Sequence, residues 1–381
     1  MRNLHDHSLS DMQATDPSLA SPILVSAHKI AIAGLGLIGG SIARRLVENH
    51  RFVTAWNHST RPYEAARGLG IQCVDSLETL VAGNPDVLIL ALPLEVMGEA
   101  LSVIAPLIKK GTTLTDVGSV KGPVRDEVKK AGLEDHYVGG HPMAGNELSG
   151  FEASDSALLE GALWALTFDD HTEYSRFLTI ADMVTKGLKN SVIAIDDTTH
   201  DRAAALISHM PHVVSTALAN ELVDGSYAAP SIALALMAGS WRDMTRVSLT
   251  DPQRTRAMVE LDAANVAQLL HSMAQRLEDM AMLLTEEEKE GKGSAQIHEK
   301  VQEFFTRSDP FRSYKHRVAA GTADCPPTSL LLEEGNWRRQ LLDSALRGER
   351  VVDFLTTHEA QVIRRPLSTE ETEKACAREQ A

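Results

Sequence analysis

Ile30-Ala31-Ile32-Ala33-Gly34-Leu35-Gly36-Leu37-Ile38-Gly39 is the stretch on which the fold turns. Four apolar residues in succession predict a strand, and the glycines after them predict a tight turn into a helix reaching about Asn49. Gly34 permits the turn, Gly36 lets a pyrophosphate approach the backbone, and Gly39 lets the helix pack closely on the strand. The helix start then offers unpaired N–H groups to phosphate. Gly-x-Gly-x-x-Gly alone is a weak signal. Between a strand and a helix, with further strand–helix alternation behind it, it reads as a dinucleotide-binding turn.

Working outward, strands are predicted at 52–56, 86–92 and 112–116, with later ones at 162–168 and 192–195. Every residue from Val87 to Leu92 is apolar, and apolar strands separated by helices indicate a parallel sheet covered on both faces. The expected fold class is therefore an α/β Rossmann domain, doubly wound and mostly parallel, over 28–195, followed by an all-α domain over 196–311. Residues 1–27 read as a flexible arm. Residues 312–381 read as a partly helical extension of unknown role, irregular over 312–328 and helix-prone over 330–346.

In the second half, helices are predicted over 200–223, interrupted at Pro211, and over 230–248. A third restarts at Asp251-Pro252 and runs to about Glu287, and 285–294 reads as a charged surface turn. Val266, Leu269, Leu270, Met273, Leu277, Met280 and Leu284 recur at spacings of three and four. They form one apolar helical stripe, packed on a partner either within the domain or across a subunit interface.

The end of the second strand bears on which nucleotide binds. NAD sites usually place an acid there for the ribose hydroxyls, but this chain has Trp56-Asn57-His58-Ser59-Thr60-Arg61. Asn57, Ser59 and Thr60 can hydrogen-bond, and Arg61 or His58 can face a 2′-phosphate, so NADP is expected over NAD. The residues assigned to the cofactor are Gly34, Leu35, Gly36, Leu37, Ile38, Gly39, Asn57, His58, Ser59 and Arg61, with Leu92 and Pro93 at the end of the third strand.

Composition narrows the partners. The 381 residues carry 37 basic and 52 acidic side chains, a net charge of −15, and no basic patch is evident. Nucleic acid and anionic membrane are therefore not expected. The three cysteines, Cys73, Cys325 and Cys376, are scattered and odd in number, which argues for a reducing compartment. With no signal peptide and no apolar run long enough to span a bilayer, the chain reads as a soluble cytoplasmic protein.

Polar groups then collect where a simple fold does not need them. Asp116-Val-Gly-Ser119-Val-Lys121 ends a strand, where ligands sit in open α/β sheets. Ser119 can hydrogen-bond a reacting hydroxyl or the nicotinamide amide, and Lys121 reads as a helix-start charge. Gly139-Gly-His141-Pro-Met-Ala-Gly-Asn-Glu147-Leu-Ser-Gly150 reads as a rigid glycine-rich loop holding a proton acceptor. His200-Asp201 leads into Ser208-His209-Met-Pro-His212, with His209 and His212 on one face if the segment is helical. Arg242 and Arg246, four apart, can grip a dianion or lie on a solvated helix face. The histidines lack the spacing and the accompanying thiolate or acid of a zinc site, so no metal is expected.

In this order and combination the motifs resemble the prephenate and arogenate dehydrogenases of tyrosine biosynthesis, over roughly residues 29–287. The resemblance implies a helical domain that dimerises, with the active site between the two domains. It also implies oxidation of a carboxylated cyclohexadienol with loss of CO₂. His141 and Ser119 would be catalytic, with His141 taking or holding the hydroxyl proton. Arg246 and Arg242 would bind the substrate carboxylate, His212 and His209 the side chain, and Glu147 the loop network or a substrate amine. Some relatives end in a regulatory ACT domain, whose β-α-β-β-α-β pattern is not evident in this tail. Two competing readings are another Rossmann-plus-helical dehydrogenase acting on a hydroxy acid or imine, and a cofactor sensor without turnover. The former enzymes usually carry a lysine early in the second domain, whereas no lysine stands between Lys189 and Lys289.

Overall fold

A computed structural model describes residues 27–224, 230–290 and 295–367. The expected arm and the polar end of the chain therefore lie almost wholly outside the described residues. The strands are β1 (Lys29–Ala33), β2 (Phe52–Trp56), β3 (Gln72–Cys73), β4 (Val87–Leu90), β5 (Thr113–Asp116) and β6 (Tyr137–Pro142). They continue with β7 (Leu163–Thr167), β8 (Ser191–Ile195), β9 (Thr328–Leu331), β10 (Glu349–Thr356) and β11 (Glu359–Arg364). All belong to one sheet in the order β3-β2-β1-β4-β5-β6-β7-β8-β10-β11-β9.

From β3 to β6 every pairing is parallel, and the chain reverses between β1 and β4. That switch point is where an open α/β sheet leaves a crevice. β4 is buried along its whole length because helices cover both faces, which explains its unbroken apolar run. β7 runs antiparallel to β6, and β8 parallel to β7.

Three features differ from the sequence reading. His141 lies on β6, not in a loop, and β6 is buried at every position except His141, which is half-buried. Gly139 and Gly140 are there for closeness rather than for positive φ. A Cβ on Gly139 would lie 2.2 Å from Thr167 Oγ1, and one on Gly140 2.6 Å from the Asp116 carbonyl. Glycine hid this strand because it has no side chain with which to show a period.

The second difference is in the helices. The segment 200–223 is continuous but changes pitch, from an α-helix over Asp197–Ala204 through a π-turn over Ala205–His209 to an α-helix over Met210–Val223. Pro211 lacks an N–H and its ring crowds the preceding turn; the wider π-turn just before it accommodates both. The 230–248 segment divides into Pro230–Leu236, Gly239–Thr245 and a 3-10 turn over Arg246–Leu249. The third helix breaks at Asp262 into Pro252–Leu261 and Ala263–Glu290, so Thr285 to Glu290 is helical rather than a turn. Of the stripe on the long helix, Val266 is buried but Leu277 and Leu284 are 58% and 53% exposed in the single chain. That exposure favours a subunit interface over an internal core.

The third difference is the C-terminal segment. Its β9, the helix Trp337–Leu346, β10 and β11 extend the main sheet, with β10 antiparallel to β8 and β11 paired to β10 and β9. The 312–328 stretch also begins inside a helix, Asp309–Ala319. Trp337 seals the junction, 1% exposed and in contact with the rings of Phe168, Tyr174 and Phe177. Irregular pairing at Val351/Asp353 and Phe354/Thr356 shifts the register. This breaks the strict alternation by which a strand is read from sequence.

Candidate active site

The glycine turn has the geometry its sequence predicts. Gly34 has φ +107°, open to glycine but strained for other residues, and a Cβ there would meet the Ala91 carbonyl at 2.2 Å. A Cβ on Gly39 would lie 2.0 Å from the Gly34 carbonyl, whereas one on Gly36 would meet nothing within 4 Å. Gly36 therefore faces open space at the start of the helix Leu37–Glu48, whose first turn holds no acid and no side-chain cap. Open space beside unpaired helix N–H groups suits a pyrophosphate, so these residues fit a dinucleotide.

The assigned neighbours divide into two kinds. Leu35 is buried in the core and donates its N–H to Asn57 Oδ1 at 2.9 Å. Asn57 Nδ2 donates to the Ser59 carbonyl at 2.9 Å. Leu35 and Asn57 thus brace the turn instead of presenting free groups to a ligand. Leu37 is also a core residue, and Ile38 packs against that core. Leu92, half-buried, and Pro93, exposed, follow β4. His58 and Arg61 are exposed, and Arg61 Nε is 3.3 Å from a Glu152 carboxylate that is itself mostly exposed. An ion pair so open to water is weak, which leaves Arg61 available to a stronger anion.

Beside this turn lies a buried network. Asp116, at the end of β5, accepts from the Gly118 and Gly140 N–H groups, the Tyr137 hydroxyl and Lys121 Nζ. Lys121 Nζ also donates to the Gly140 carbonyl at 2.6 Å. Lys121 stands at the start of the helix Gly122–Lys130 as expected, but fully buried. Burial pulls its pKa below the usual lysine value, while Asp116 opposes the shift. The network anchors the strand residue immediately before His141 and the turn that carries half-buried Ser119.

His141 Nδ1 is 2.9 Å from His200 Nε2, and His200 Nδ1 is 2.8 Å from Asp201 Oδ1. Asp201 in turn accepts the backbone N–H groups of Lys121 at 2.7 Å and Gly122 at 2.9 Å. His141 Nε2 has no hydrogen-bond partner among the described residues. Burial, then the charges of His200, Lys121 and His209, hold the His141 imidazole well below the ordinary histidine pKa. It is neutral at pH 7, as a proton acceptor must be.

The helical half contributes a cationic edge. Arg246 Nη1 lies 3.9 Å from Glu147 Oε2, both partly exposed, and Arg254 Nη2 donates to the Asn146 carbonyl at 3.0 Å. Half-buried His212 engages the Ser208 carbonyl through Nδ1 at 2.9 Å. Burial lowers its pKa, and the charges of Arg254, His209 and Arg246 reinforce the effect. Arg242 is exposed on the Gly239–Thr245 helix. His209 departs from the sequence reading. It is 0% exposed, and its Nδ1 is 2.8 Å from Asp262 Oδ2. It is a buried histidine joining the π-turn to the break before the long helix, and its Nε2 is buried with no hydrogen-bond partner among the described residues.

His200, Asp201 and Arg254 were not among the assigned site residues. His200-Asp201 stands in a recognisable segment, but its contact with His141 crosses 59 residues, and no spacing rule reports that. Arg254 carried no signal beyond its charge. Among the described residues, no group of three His, Cys, Asp or Glu side chains is arranged to hold a metal, and no helix is long and apolar enough to cross a membrane.

A dinucleotide turn at the switch point of a parallel sheet, with a neutral imidazole on β6 of the same sheet and an arginine-bearing helical half, defines a nicotinamide-dependent dehydrogenase. Comparison with known proteins agrees. The family described as "Prephenate dehydrogenase, nucleotide-binding domain" matches residues 42–194, and "Prephenate dehydrogenase, dimerization domain" matches residues 196–302. The prephenate dehydrogenase of Lactococcus lactis subsp. cremoris is 31% identical over 268 residues, covering 69% of this chain and 73% of that protein. The cyclohexadienyl dehydrogenase of Zymomonas mobilis subsp. mobilis is 31% identical over 262 residues, 67% of this chain and 87% of that one. The crystal structure of prephenate dehydrogenase from A. aeolicus, in complex with hydroxyphenyl propionate and NAD+, superposes with a TM-score of 0.67 at 26% identity. It covers 75% of this chain and 99% of that one. The chain belongs to the prephenate dehydrogenase family. It is an NAD(P)-dependent enzyme, and its helical half is the family's dimerisation domain, which accounts for the exposed stripe on the long helix.

Proposed function

We propose that the enzyme oxidatively decarboxylates prephenate, arogenate or both, forming 4-hydroxyphenylpyruvate or tyrosine in tyrosine biosynthesis, with NADP as the preferred cofactor. One observation carries the reading. Half-buried His141 stands on β6 with Nδ1 2.9 Å from His200 Nε2 and, among the described residues, with no hydrogen-bond partner on Nε2.

When bound, the nicotinamide ring supplies the hydride acceptor. The protein's own groups do the rest. His141 Nε2 accepts the proton of the ring hydroxyl, and Ser119 hydrogen-bonds that hydroxyl and helps orient the nicotinamide. Arg246 holds the ring carboxylate, with Arg242 as a second cation nearby. At 3.9 Å and partly in water, the Arg246–Glu147 pair is loose enough for a substrate carboxylate to displace. His212 contacts the substrate side chain, and Glu147 anchors the loop or meets a substrate amine. CO₂ departs as the ring aromatises.

The preference for NADP rests on the Arg61 guanidinium, on exposed His58, and on the absence of an acid at the end of β2. Reduced-cofactor formation followed spectrophotometrically, with prephenate and arogenate each paired with NAD and NADP, tests the whole reading. An NAD preference of about tenfold or more, roughly 1.4 kcal/mol, would refute the cofactor assignment. No turnover with either substrate would refute the function.

A further inference from the structure

Proton accounting along the His141–His200–Asp201 chain determines more than the position of His141. Asp201 is 7% exposed, and its two oxygens accept the Lys121 and Gly122 backbone N–H groups as well as His200. Burial works against its ionisation. The hydrogen bonds from His200 and the two backbone N–H groups outweigh that and keep the carboxyl below its usual range. An ionised carboxylate is an acceptor only, so His200 Nδ1 carries the hydrogen between them.

A neutral imidazole has one donor and one acceptor nitrogen. For the neutral His200 imidazole, with Nδ1–H committed to Asp201, Nε2 can only accept. The atom 2.9 Å from it, His141 Nδ1, must then be the donor. That leaves the lone pair of His141 on Nε2. Two backbone amides thus set, through two side chains, which nitrogen of His141 is free to take a proton.

We propose that His200 and Asp201 are positioning residues that hold His141 in the tautomer with an unprotonated Nε2, and that His200 takes up charge during turnover. When Nε2 accepts the substrate hydroxyl proton, the Nδ1 proton of His141 moves to His200 Nε2. The resulting positive charge then sits against the Asp201 carboxylate, and no proton is gained or lost overall. The proposal rests on His141 being the proton acceptor. It adds a fixed direction to the hydrogen-bond chain behind it.

The test compares Asp201→Asn, His200→Gln, His200→Leu and His141→Asn in the full-length enzyme, with kcat, KM and the ¹⁵N resonances of histidine-labelled protein. An asparagine amide offered to His200 Nδ1 reverses the chain and puts the hydrogen on His141 Nε2. Asp201→Asn should therefore cost up to about four powers of ten in kcat, the scale of a wrong tautomer in a catalytic triad, with KM little changed. The His141 ¹⁵N signals should report exchange of the protonated nitrogen. His200→Gln, whose amide can donate to Asp201 and accept from His141, should retain more activity than His200→Leu. If Asp201→Asn and His200→Leu keep the parental kcat while His141→Asn is inactive, the relay is refuted and His141 as base survives. Loss of kcat with an unchanged His141 tautomer also refutes it, since that is structural damage only. A fully active His141→Asn would instead overturn the underlying assignment of the base.

Discussion

His141 Nδ1 and His200 Nε2 lie 2.9 Å apart, with ring centroids 5.1 Å apart and planes crossed at 66°. This contact joins the last strand of the parallel run to the first helix of the second half. It crosses the boundary between the two halves of the chain. Replacing His141 with Asn removes the acceptor but keeps a polar side chain. We expect kcat to fall by about two to four powers of ten, with dinucleotide affinity unchanged in a fluorescence titration. Parental turnover would exclude His141 as base.

Acid should act on both activity and stability. Burial, then His200, Lys121 and His209, depress the His141 pKa, and burial also lowers that of His212. In the unfolded chain both residues titrate near pH 6.5. As pH falls through that value the unfolded state takes up protons that the folded state refuses, so their contribution, full above about pH 6.5, is lost below it. Urea midpoints should decline below that pH. The acid limb of kcat/KM, which reports the free enzyme, should lie below it as well. A limb at or above pH 7 would contradict a depressed His141.

Arg246→Ala should raise the substrate KM strongly and leave dinucleotide binding alone, because the guanidinium stands on the helical half near Glu147. Steady-state kinetics with each ligand varied in turn would show it. An unchanged substrate KM places the carboxylate grip elsewhere.

Gly36→Ala and Gly39→Ala should part company. The Gly36 Cβ meets nothing, while the Gly39 Cβ would strike the Gly34 carbonyl at 2.0 Å. Gly36→Ala is expected to fold with a parental melting temperature yet bind dinucleotide poorly, since the methyl fills the approach. Gly39→Ala is expected to lose stability as well. Equal affinity in Gly36→Ala and the parent would remove the pyrophosphate from that space.

Trp337→Ala should cost about 3–5 kcal/mol, the range for deleting a buried aromatic side chain. The ring is 1% exposed and touches three aromatic side chains of the main domain. Chemical denaturation would measure the loss. A change under about 1 kcal/mol would mean that the C-terminal strands are held by other contacts.

The features legible from residue order are local. The strand–glycine–helix turn, the apolar central strands and the helical second half each follow from a period or from a residue whose backbone freedom is special. The apolar stripe on the long helix was legible for the same reason, although only its exposure in the single chain distinguished interface from core. The tertiary structure alone decided what is non-local. Gly139 and Gly140 look like loop glycines until Thr167 and Asp116 press against them, and β10 loses its alternation to register shifts. His209 and His212 look equivalent three residues apart, yet Asp262, at the break between two later helices, holds one of them in the core. The partner that sets the His141 tautomer comes from 59 residues away. Hydrogen-bond direction belongs to atoms brought together by folding, and neither residue type nor spacing encodes which of two ring nitrogens will hold the proton.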